Sequence, residues 1–341
     1  MTVVLYSHFK YPFLVEYTDM ANHARSVMEA NGLADIVTVI QGAVEDVELP
    51  IKADGLTTED GESSEYQVVD IIISEWMGYF LLRESMLDSL IHARDKFLKP
   101  KTGLMLPSHT TMFLAPINDE EERQISNREY NGAMGEWGQF SETTQSTYGV
   151  DMSVLTEQYE REQKEYFLLS SRWAELPRDA VMAEPAAVKH LDMATCTLAD
   201  SKGITAGDKG ATFDFDVKSE DAPGSTISGF AGWFDADFKS RTDEGGATAP
   251  KIPNPAYLTT GPEAGYTHWG QQTFHTMSAI PLIQGETTRI QGNLEMTRSK
   301  DNARLYNCKI GYNSSRRKSE EDKDGKILMK GSPVEHVYQI P

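Results

Sequence analysis

The feature that most constrains the fold of this chain is an apolar run at residues 68–73 that leads directly into a loop carrying two acids. The run is dominated by Val and Ile, which predicts a strand buried on both faces, as in a parallel sheet covered by helices. Glu75 follows the run, and Glu84 lies further along the loop. Gly78 lies between them and disfavours a continuous helix, so we expect the two glutamates to face each other across a loop.

This pair of acids suggests a binding site for a cation. Two carboxylates at the carboxyl end of a buried strand are suited to hold a planar cation such as guanidinium through charge-assisted hydrogen bonds. The alternative is one solvated acid and one acid that begins a helix, which is the ordinary situation for most carboxylates.

The segments around the run predict an α/β domain. A helix is predicted from Asp19 to Ala30, with Asn31-Gly32 as its C-terminal cap, and the next strand is predicted at Val37–Ile40. A second helix is predicted from Met86 to Leu98, with Leu87, Leu90, Ile91 and Phe97 on its inward face, and ends before Pro100. Strands that alternate with helices indicate a parallel sheet.

Beyond Pro107 the pattern changes to short β segments separated by turns. The predicted strands cover residues 110–116, 211–217, 228–238, 288–296, 304–312 and 326–329. Such a series favours an antiparallel β-barrel or sandwich. We therefore divide the chain into an α/β domain at 1–107 and a β domain at 108–341, with polar helical stretches at 118–140.

Charge and cysteine content narrow the possible functions. The net charge of −20 argues against direct nucleic-acid binding and favours a basic protein partner, although many soluble proteins are acidic for solubility alone. The absence of a long apolar run and of a signal-peptide pattern predicts no membrane association. Cys196 and Cys308 have no metal-site spacing, so we expect no metal and a reducing compartment, nucleus or cytoplasm.

The loop with the two acids resembles a known family motif. Ser74-Glu75-Trp76-Met77-Gly78-Tyr79-Phe80-Leu81-Leu82-Arg83-Glu84-Ser85-Met86 is similar to the double-E loop of the type I protein arginine methyltransferases. Other similar segments, in the family's order, are Val15-Glu16-Tyr17, Val44-Glu45-Asp46, Leu106-Pro107, Tyr148-Gly149-Val150-Asp151-Met152 and Tyr266-Thr267-His268-Trp269. The last of these resembles the family's Thr-His-Trp loop.

The resemblance implies a fold: a Rossmann-like domain that binds S-adenosylmethionine, followed by a β-barrel with an inserted helical dimerisation arm. The arm would lie at about 118–151. Members of the family act as dimers, so the resemblance also implies a homodimer or a heterodimer with a paralogue.

The resemblance further implies roles for individual residues. Glu75 and Glu84 would grip the substrate guanidinium, and His268 would handle a proton or hold the site together, although a lone histidine is more often structural. Tyr79 and Trp269 would contact the substrate.

On the cofactor side, Glu16 would bind the ribose hydroxyls, although a surface acid beside a helix N-terminus is the alternative. Val44 and Glu45 would contact adenine, and Met86 would lie beside the cofactor.

The implied activity is methylation of arginine side chains in Arg-rich proteins such as histones or RNA-binding proteins. Asymmetric dimethylarginine is the expected product, since the Thr-His-Trp loop and Met86 are similar to the type I pattern.

One part of the family pattern is missing. Members carry a Gly-x-Gly loop ahead of the ribose acid, whereas the first glycine here is Gly32. Tyr6-Ser7-His8-Phe9 resembles the string that opens the family's catalytic domain, yet only residues 10–13 separate it from Leu14. We therefore expect a truncated cofactor domain that lacks a central strand and its ladder partners, unless the similarity of that string arises by chance. Two hypotheses follow: an active methyltransferase, or an inactive relative that binds or dimerises with an active one.

Overall fold

The computed structural model describes residues 2–6, 11–15, 18–49, 69–208, 210–219, 225–241, 251–318 and 327–341. Glu16 and the string that follows Tyr6 lie outside these ranges. Within the ranges, none of the helices combines the length and the apolar character that crossing a bilayer requires.

The N-terminal part is a five-stranded sheet in the order β3-β2-β1-β4-β5. The strands are β1 (Thr2–Tyr6), β2 (Tyr11–Val15), β3 (Val37–Gln41), β4 (Ile71–Glu75) and β5 (Leu104–Leu106). The helices are α1 (Thr18–Ala30) and α2 (Leu87–Phe97), so both predicted helices are confirmed to within one residue at each end. The predicted inward face of α2 is also confirmed, because Leu87, Leu90, Ile91 and Phe97 are buried.

The sheet is mixed, which corrects the expectation of a wholly parallel one. β2 pairs with β3 and β4 with β5 in parallel, but β1 runs antiparallel to both of its neighbours, β2 and β4. The expected loss of ladder partners is therefore wrong, because β1 occupies the central position and supplies backbone hydrogen bonds on both sides.

The strand before the acidic loop is buried on one face only. Ile72 is fully buried and Ile73 is 43% exposed, so the prediction of a strand buried on both faces is wrong. The strand also begins at Ile71, three residues later than predicted. Alternating burial is typical of a strand with only one covered face.

The C-terminal part contains two antiparallel sheets. One has the order β7-β13-β11-β6-β8 with β12 on β11, and the other has the order β10-β14-β15-β16 with β17 on β15 and β9 on β14. The first sheet consists of β6 (His109–Ile117), β7 (Arg172–Ala174), β8 (Ala186–Asp192), β11 (Thr226–Phe238), β12 (Ala256–Thr259) and β13 (Gln271–Pro281). The second consists of β9 (Gly203–Ile204), β10 (Thr212–Lys218), β14 (Glu286–Arg298), β15 (Tyr306–Lys318), β16 (Ile327–Lys330) and β17 (Val334–Ile340). All six predicted strands are present.

Aromatic side chains fill the core between these two sheets. Phe230 of β11 lies 5.5 Å from the ring of Phe213 on β10 and 5.5 Å from that of Tyr312 on β15. In the described part of the chain no strand ladder joins the two sheets, so the closed barrel implied by the resemblance is not formed. The arrangement matches the sandwich alternative.

A helical hairpin interrupts the β part after β6. It consists of α3 (Glu120–Tyr148) and α4 (Thr156–Phe167), so helical structure continues well beyond residue 151. Gly149 ends α3 in the left-handed conformation, with φ of +69°. Trp137 on α3 stacks on Tyr159 of α4 at 4.6 Å and donates its indole N–H to Thr156 Oγ1 at 2.9 Å.

Candidate active site

The loop between β4 and α2 is a compact fold-back with an acid at each end. The Gly78 N–H donates to the Leu81 carbonyl at 2.9 Å. A Cβ at residue 78 would lie 1.9 Å from the Arg83 carbonyl oxygen, so only glycine fits there. The predicted loop between Glu75 and Glu84 is confirmed, and the close approach of its backbone explains the glycine.

The loop holds an unusual backbone conformation. Phe80, Leu81, Glu84 and Ser85 all have positive φ, between +46° and +86°. Such conformations cost about 1–3 kcal/mol each and persist only where the surroundings enforce them. Burial provides part of that support, because Phe80 and Leu81 are buried and the Phe80 ring lies 5.8 Å from the ring of Phe274.

The electrostatics of Glu75 connect the three predicted catalytic residues. Partial burial raises the pKa of Glu75, and the negative charge of Glu84 raises it further. A hydrogen bond from the Met77 N–H, at 3.1 Å, and the proximity of His268 act in the opposite direction on this pKa. The structure therefore brings Glu75, Glu84 and His268 close enough for their charges to interact.

Glu84 is held by two arginines of the same chain. Its Oε1 accepts from Arg83 Nη1 at 3.0 Å, and its Oε2 lies 3.3 Å from Arg304 Nη2. The guanidinium carbon of Arg83 also lies 5.3 Å from the centre of the Tyr79 ring, so this predicted substrate contact stacks on an internal cation. Arg83 Nε donates to the Pro341 carbonyl at 2.5 Å.

The Thr-His-Trp segment packs against the double-E loop. Trp269 donates its indole N–H to the Met77 carbonyl at 2.8 Å, and its ring lies 5.5 Å from the ring of Phe234. The His268 ring lies 3.8 Å from the Trp269 ring at a tilt of 36°, and the His268 carbonyl accepts from the indole N–H of Trp173 at 3.2 Å. Trp269 therefore braces the loop that carries Glu75, a contact that the sequence alone did not predict.

The predicted cofactor residues that the structure describes, Val44, Glu45 and Met86, follow strands of the first sheet at its carboxyl edge. Val15 of β2 and Glu75 of β4 both pair with Thr2 of β1, so they lie two strand spacings apart, about 10 Å. Val44 follows β3 and is buried in the core. Met86 immediately precedes α2 and is partly buried.

Glu45 has partners on α2. Its Oε1 accepts from Ser89 Oγ at 2.6 Å, and its carbonyl accepts from Lys96 Nζ at 3.0 Å. These bonds fix the turn after β3 against α2. Any adenine contact at this position would therefore come from a turn that is already ordered.

Comparisons with known proteins give one family throughout. The sequence profile described as the arginine methyltransferase oligomerization subdomain matches residues 109–317. Protein arginine N-methyltransferase PRMT10 from Arabidopsis thaliana is 39% identical over 303 residues, covering 87% of this chain and 70% of that protein. The rice homologue, from Oryza sativa subsp. japonica, is also 39% identical, over 302 residues, with 88% and 70% coverage.

A solved structure supports the same relationship. The crystal structure of Arabidopsis thaliana protein arginine methyltransferase 10, described as having a uniquely open conformation, aligns with a TM-score of 0.77 and 35% identity. The alignment covers 96% of this chain and 82% of that one. The agreement extends across both parts of the fold, since nearly the whole chain is aligned.

Proposed function

The chain belongs to the protein arginine methyltransferase family, and we propose that it transfers methyl groups from S-adenosylmethionine to arginine side chains of proteins. The observation that carries the proposal is the pair of interacting carboxylates, Glu75 and Glu84, at the carboxyl edge of β4. His268 lies within electrostatic range of the first of them.

The two glutamates suit a guanidinium substrate. Each carboxylate accepts N–H groups from the planar cation in charge-assisted hydrogen bonds. The acids favour positive charge on the nitrogens that they grip, which leaves the remaining nitrogen more nucleophilic. Fixed geometry then contributes to the rate because methyl transfer depends on the direction of approach. His268 is exposed and suited to handle the proton that the methylated guanidinium releases.

The cofactor fits one end of its expected site better than the other. Bound S-adenosylmethionine supplies an electrophilic methyl group on a sulfonium. The ordered turn at Val44 and Glu45 would hold the adenine end, and Met86 precedes α2. At the methionine end, β1 runs the opposite way, so Tyr6 pairs with Ile71 at the far edge of the sheet. Among the described residues, the central strand β1 therefore does not lead into a helix at the edge of the sheet where the methionine end of the cofactor would bind.

Three finer properties belong to the proposal. Asymmetric dimethylarginine is the expected product, and Arg-rich proteins such as histones or RNA-binding proteins are the expected substrates of this acidic chain. The nucleus or the cytoplasm is the expected location. Mass spectrometry of the methylated peptide tests the product, and symmetric dimethylarginine alone would contradict it.

A dimer is the proposed assembly. The matched oligomerization subdomain supports it, as does the hairpin of α3 and α4, which carries exposed apolar side chains. Those side chains are Phe140, Tyr148, Val150, Val154, Leu155 and Tyr166. Helix α1 and the turn after it expose Met20, Val27, Leu33 and Ile36, a surface of matching character.

The direct test is methyl transfer from labelled S-adenosylmethionine to an Arg-Gly peptide, with a Lys-Gly peptide of equal length beside it. We expect Glu75→Gln and Glu84→Gln to lower turnover by at least about 100-fold, because each removes a charge that the cation needs. Glu136→Gln, which makes the same change at an exposed acid on α3, serves as the control. Equal rates in both active-site variants and the wild type would refute the clamp.

The reversed central strand favours a second candidate function, that of an inactive relative that assembles with an active methyltransferase. Calorimetry with S-adenosylmethionine separates the two. Binding supports the enzyme, whereas an absence of binding together with retained affinity for the Arg-Gly peptide supports the inactive relative.

A further inference from the structure

We propose that Arg304, on the loop between β14 and β15, is a positioning residue that orients the Glu84 carboxylate for a substrate guanidinium. The inference rests on the proposed function, because it concerns how the clamp is held. Arg304 lies far from the clamp in sequence and belongs to the other part of the fold.

The backbone around Glu84 needs external support. Glu84 and Ser85 have φ of +86° and +59°, a region that residues other than glycine rarely adopt. The loop at 299–305 supplies bonds to both residues. The Glu84 N–H donates to the Arg304 carbonyl at 2.7 Å, and Ser85 Oγ donates to the Ala303 carbonyl. The β14–β15 loop thus stabilises the turn that aims Glu84.

The side chain of Arg304 acts on the carboxylate itself. A carboxylate offers about four acceptor positions, two on each oxygen. Arg83 occupies one on Oε1, and Arg304 faces Oε2. About one position remains on each oxygen, which is what a forked guanidinium requires. The two internal arginines therefore fix the plane of the carboxylate and leave its outer edge available.

Arg304 is anchored well enough to have this effect. Its N–H donates to Asn302 Oδ1 at 3.0 Å, and the Leu305 N–H donates to the Asn302 carbonyl at 3.0 Å. The strand pair Arg298↔Tyr306 closes the loop at its base. The guanidinium side chain is 57% exposed, so solvent screens its competition with an incoming cation. We therefore expect that removing Arg304 weakens substrate binding, because the loss of orientation of the Glu84 carboxylate matters more than the relief of charge repulsion between Arg304 and the substrate.

The test measures how well the chain discriminates between arginine and lysine. Fluorescence anisotropy with labelled Arg-Gly and Lys-Gly peptides gives the two dissociation constants for each variant. Only a correctly oriented carboxylate favours the forked cation, so loss of orientation affects the arginine peptide selectively. We expect Arg304→Ala to weaken binding of the arginine peptide about tenfold and to leave the lysine peptide within about twofold.

Two further variants sharpen the result. Lys300→Ala removes the same charge from the same loop, at a side chain without a hydrogen bond or ion pair among the described residues, and should bind like the wild type. Arg304→Lys keeps the charge and should recover part of the affinity. If Arg304→Ala fails to fold, the affinity of Arg304→Lys for the arginine peptide still tests the proposal.

The possible outcomes distinguish failure of the proposed function from failure of the positioning role of Arg304. A wild-type chain that binds both peptides equally refutes the proposed function and, with it, this role of Arg304. A wild-type chain that prefers the arginine peptide, with variants at Arg304 that bind it equally well or more tightly, refutes the positioning role alone.

Discussion

At the residue scale, the loop between β4 and α2 holds side chains and backbone in states that stability alone would not select. Burial and the charge of Glu84 both raise the pKa of Glu75. The loop between β4 and α2 contains four residues other than glycine at positive φ. Binding sites commonly retain strain of this kind because the geometry serves a ligand and the remainder of the fold compensates.

The raised pKa of Glu75 predicts a pH-dependent stability cost. The folded state binds this proton more tightly than the unfolded state, so stability falls as pH rises from the ordinary value of 4.5 through the raised pKa. Glu75→Gln removes the charge and retains an oxygen for the Met77 N–H. We therefore expect this variant to unfold at a higher urea concentration than the wild type at pH 7, with the difference shrinking toward pH 4.5.

Glu136→Gln again provides the control, because it removes an exposed charge with no hydrogen bond or ion pair in the described part of the chain. Its urea midpoint should follow that of the wild type at both pH values. A Glu75→Gln variant that is no more stable than the wild type at pH 7 would show that the surroundings of Glu75 impose no such cost.

Local pattern predicted some residues of the site and missed others. Gly78 marked the loop because a glycine between two acids interrupts a helix, and the structure supplies the steric reason. Arg304 could not be predicted, because no local spacing relates the β14–β15 loop to a turn of the first sheet. The contact between Trp269 and Met77 was missed for the same reason. Such contacts depend on how two separate parts pack, which sequence periodicity does not encode.

At the element scale, α2 connects the acidic loop to the second sheet. Asp88 in its first turn accepts two hydrogen bonds from Arg298 of β14, at 2.6 and 2.7 Å. It also accepts from Ser201 Oγ and, at 2.7 Å, from Lys202 Nζ. Burial alone would raise the pKa of Asp88, but these donors hold it well below its usual range. The helix that begins just after Glu84 is thereby fixed to β14.

Loss of this contact should cost measurable stability. We expect Asp88→Ala to lower the free energy of unfolding by about 2 kcal/mol, since hydrogen bonds to charged groups contribute about 1.5–3 kcal/mol. The contribution is present above the unfolded pKa, near 3.8, and is lost as pH falls through the lower folded value. Urea unfolding at pH 7 and at pH 3 measures both effects.

Asp95→Ala is the matched control on the same helix, because Asp95 is 63% exposed and pairs only with its neighbour Arg94 among the described residues. Asp95→Ala should lower the free energy of unfolding by less than about 0.5 kcal/mol. An equal loss in the two variants would assign the effect to helix α2 itself and not to its junction with β14.

Elements were predicted best where one periodicity dominates. The inward face of α2 repeats at helical spacing, and β11 and β14 are long segments bounded by turns, so their existence followed from sequence. The direction of β1 did not follow, because a short strand carries no signal for parallel or antiparallel pairing. Short strands such as β7 and β9 were not predicted, because so few residues form no recognisable periodicity.

At the scale of the whole molecule, two of the exposed apolar surfaces among the described residues lie in different parts of the fold. One is the hairpin of α3 and α4, and the other is α1 with the turn that follows it. The base of the hairpin is fixed, because Asp119 pairs with His275 of β13 at 2.8 Å and its N–H donates to Ser228 Oγ at 2.6 Å. A hairpin anchored in this way can present its far end to a second copy without rearrangement of the β sheets.

The proposed dimer predicts that a charge at the tip of this hairpin separates the protomers. Val154 lies in the connection between α3 and α4 and is 82% exposed, so Val154→Asp should leave the fold of one protomer intact. In a dimer that buries this side chain, the new carboxylate would lose its hydration without gaining a partner. We expect sedimentation velocity to find a dimer for the wild type and a shift of at least tenfold toward the monomer for the variant, about 1.4 kcal/mol.

Leu328→Asp places the same charge on β16, an exposed and mostly apolar strand of the second sheet that lies outside the hairpin and the α1 surface, and should sediment like the wild type. The comparison separates a specific interface from general apolar association, because charge at either site would weaken the latter. If Val154→Asp remained dimeric while its circular dichroism matched that of the wild type, the hairpin tip would lie outside the interface. Dimerisation would then depend on another surface of this chain.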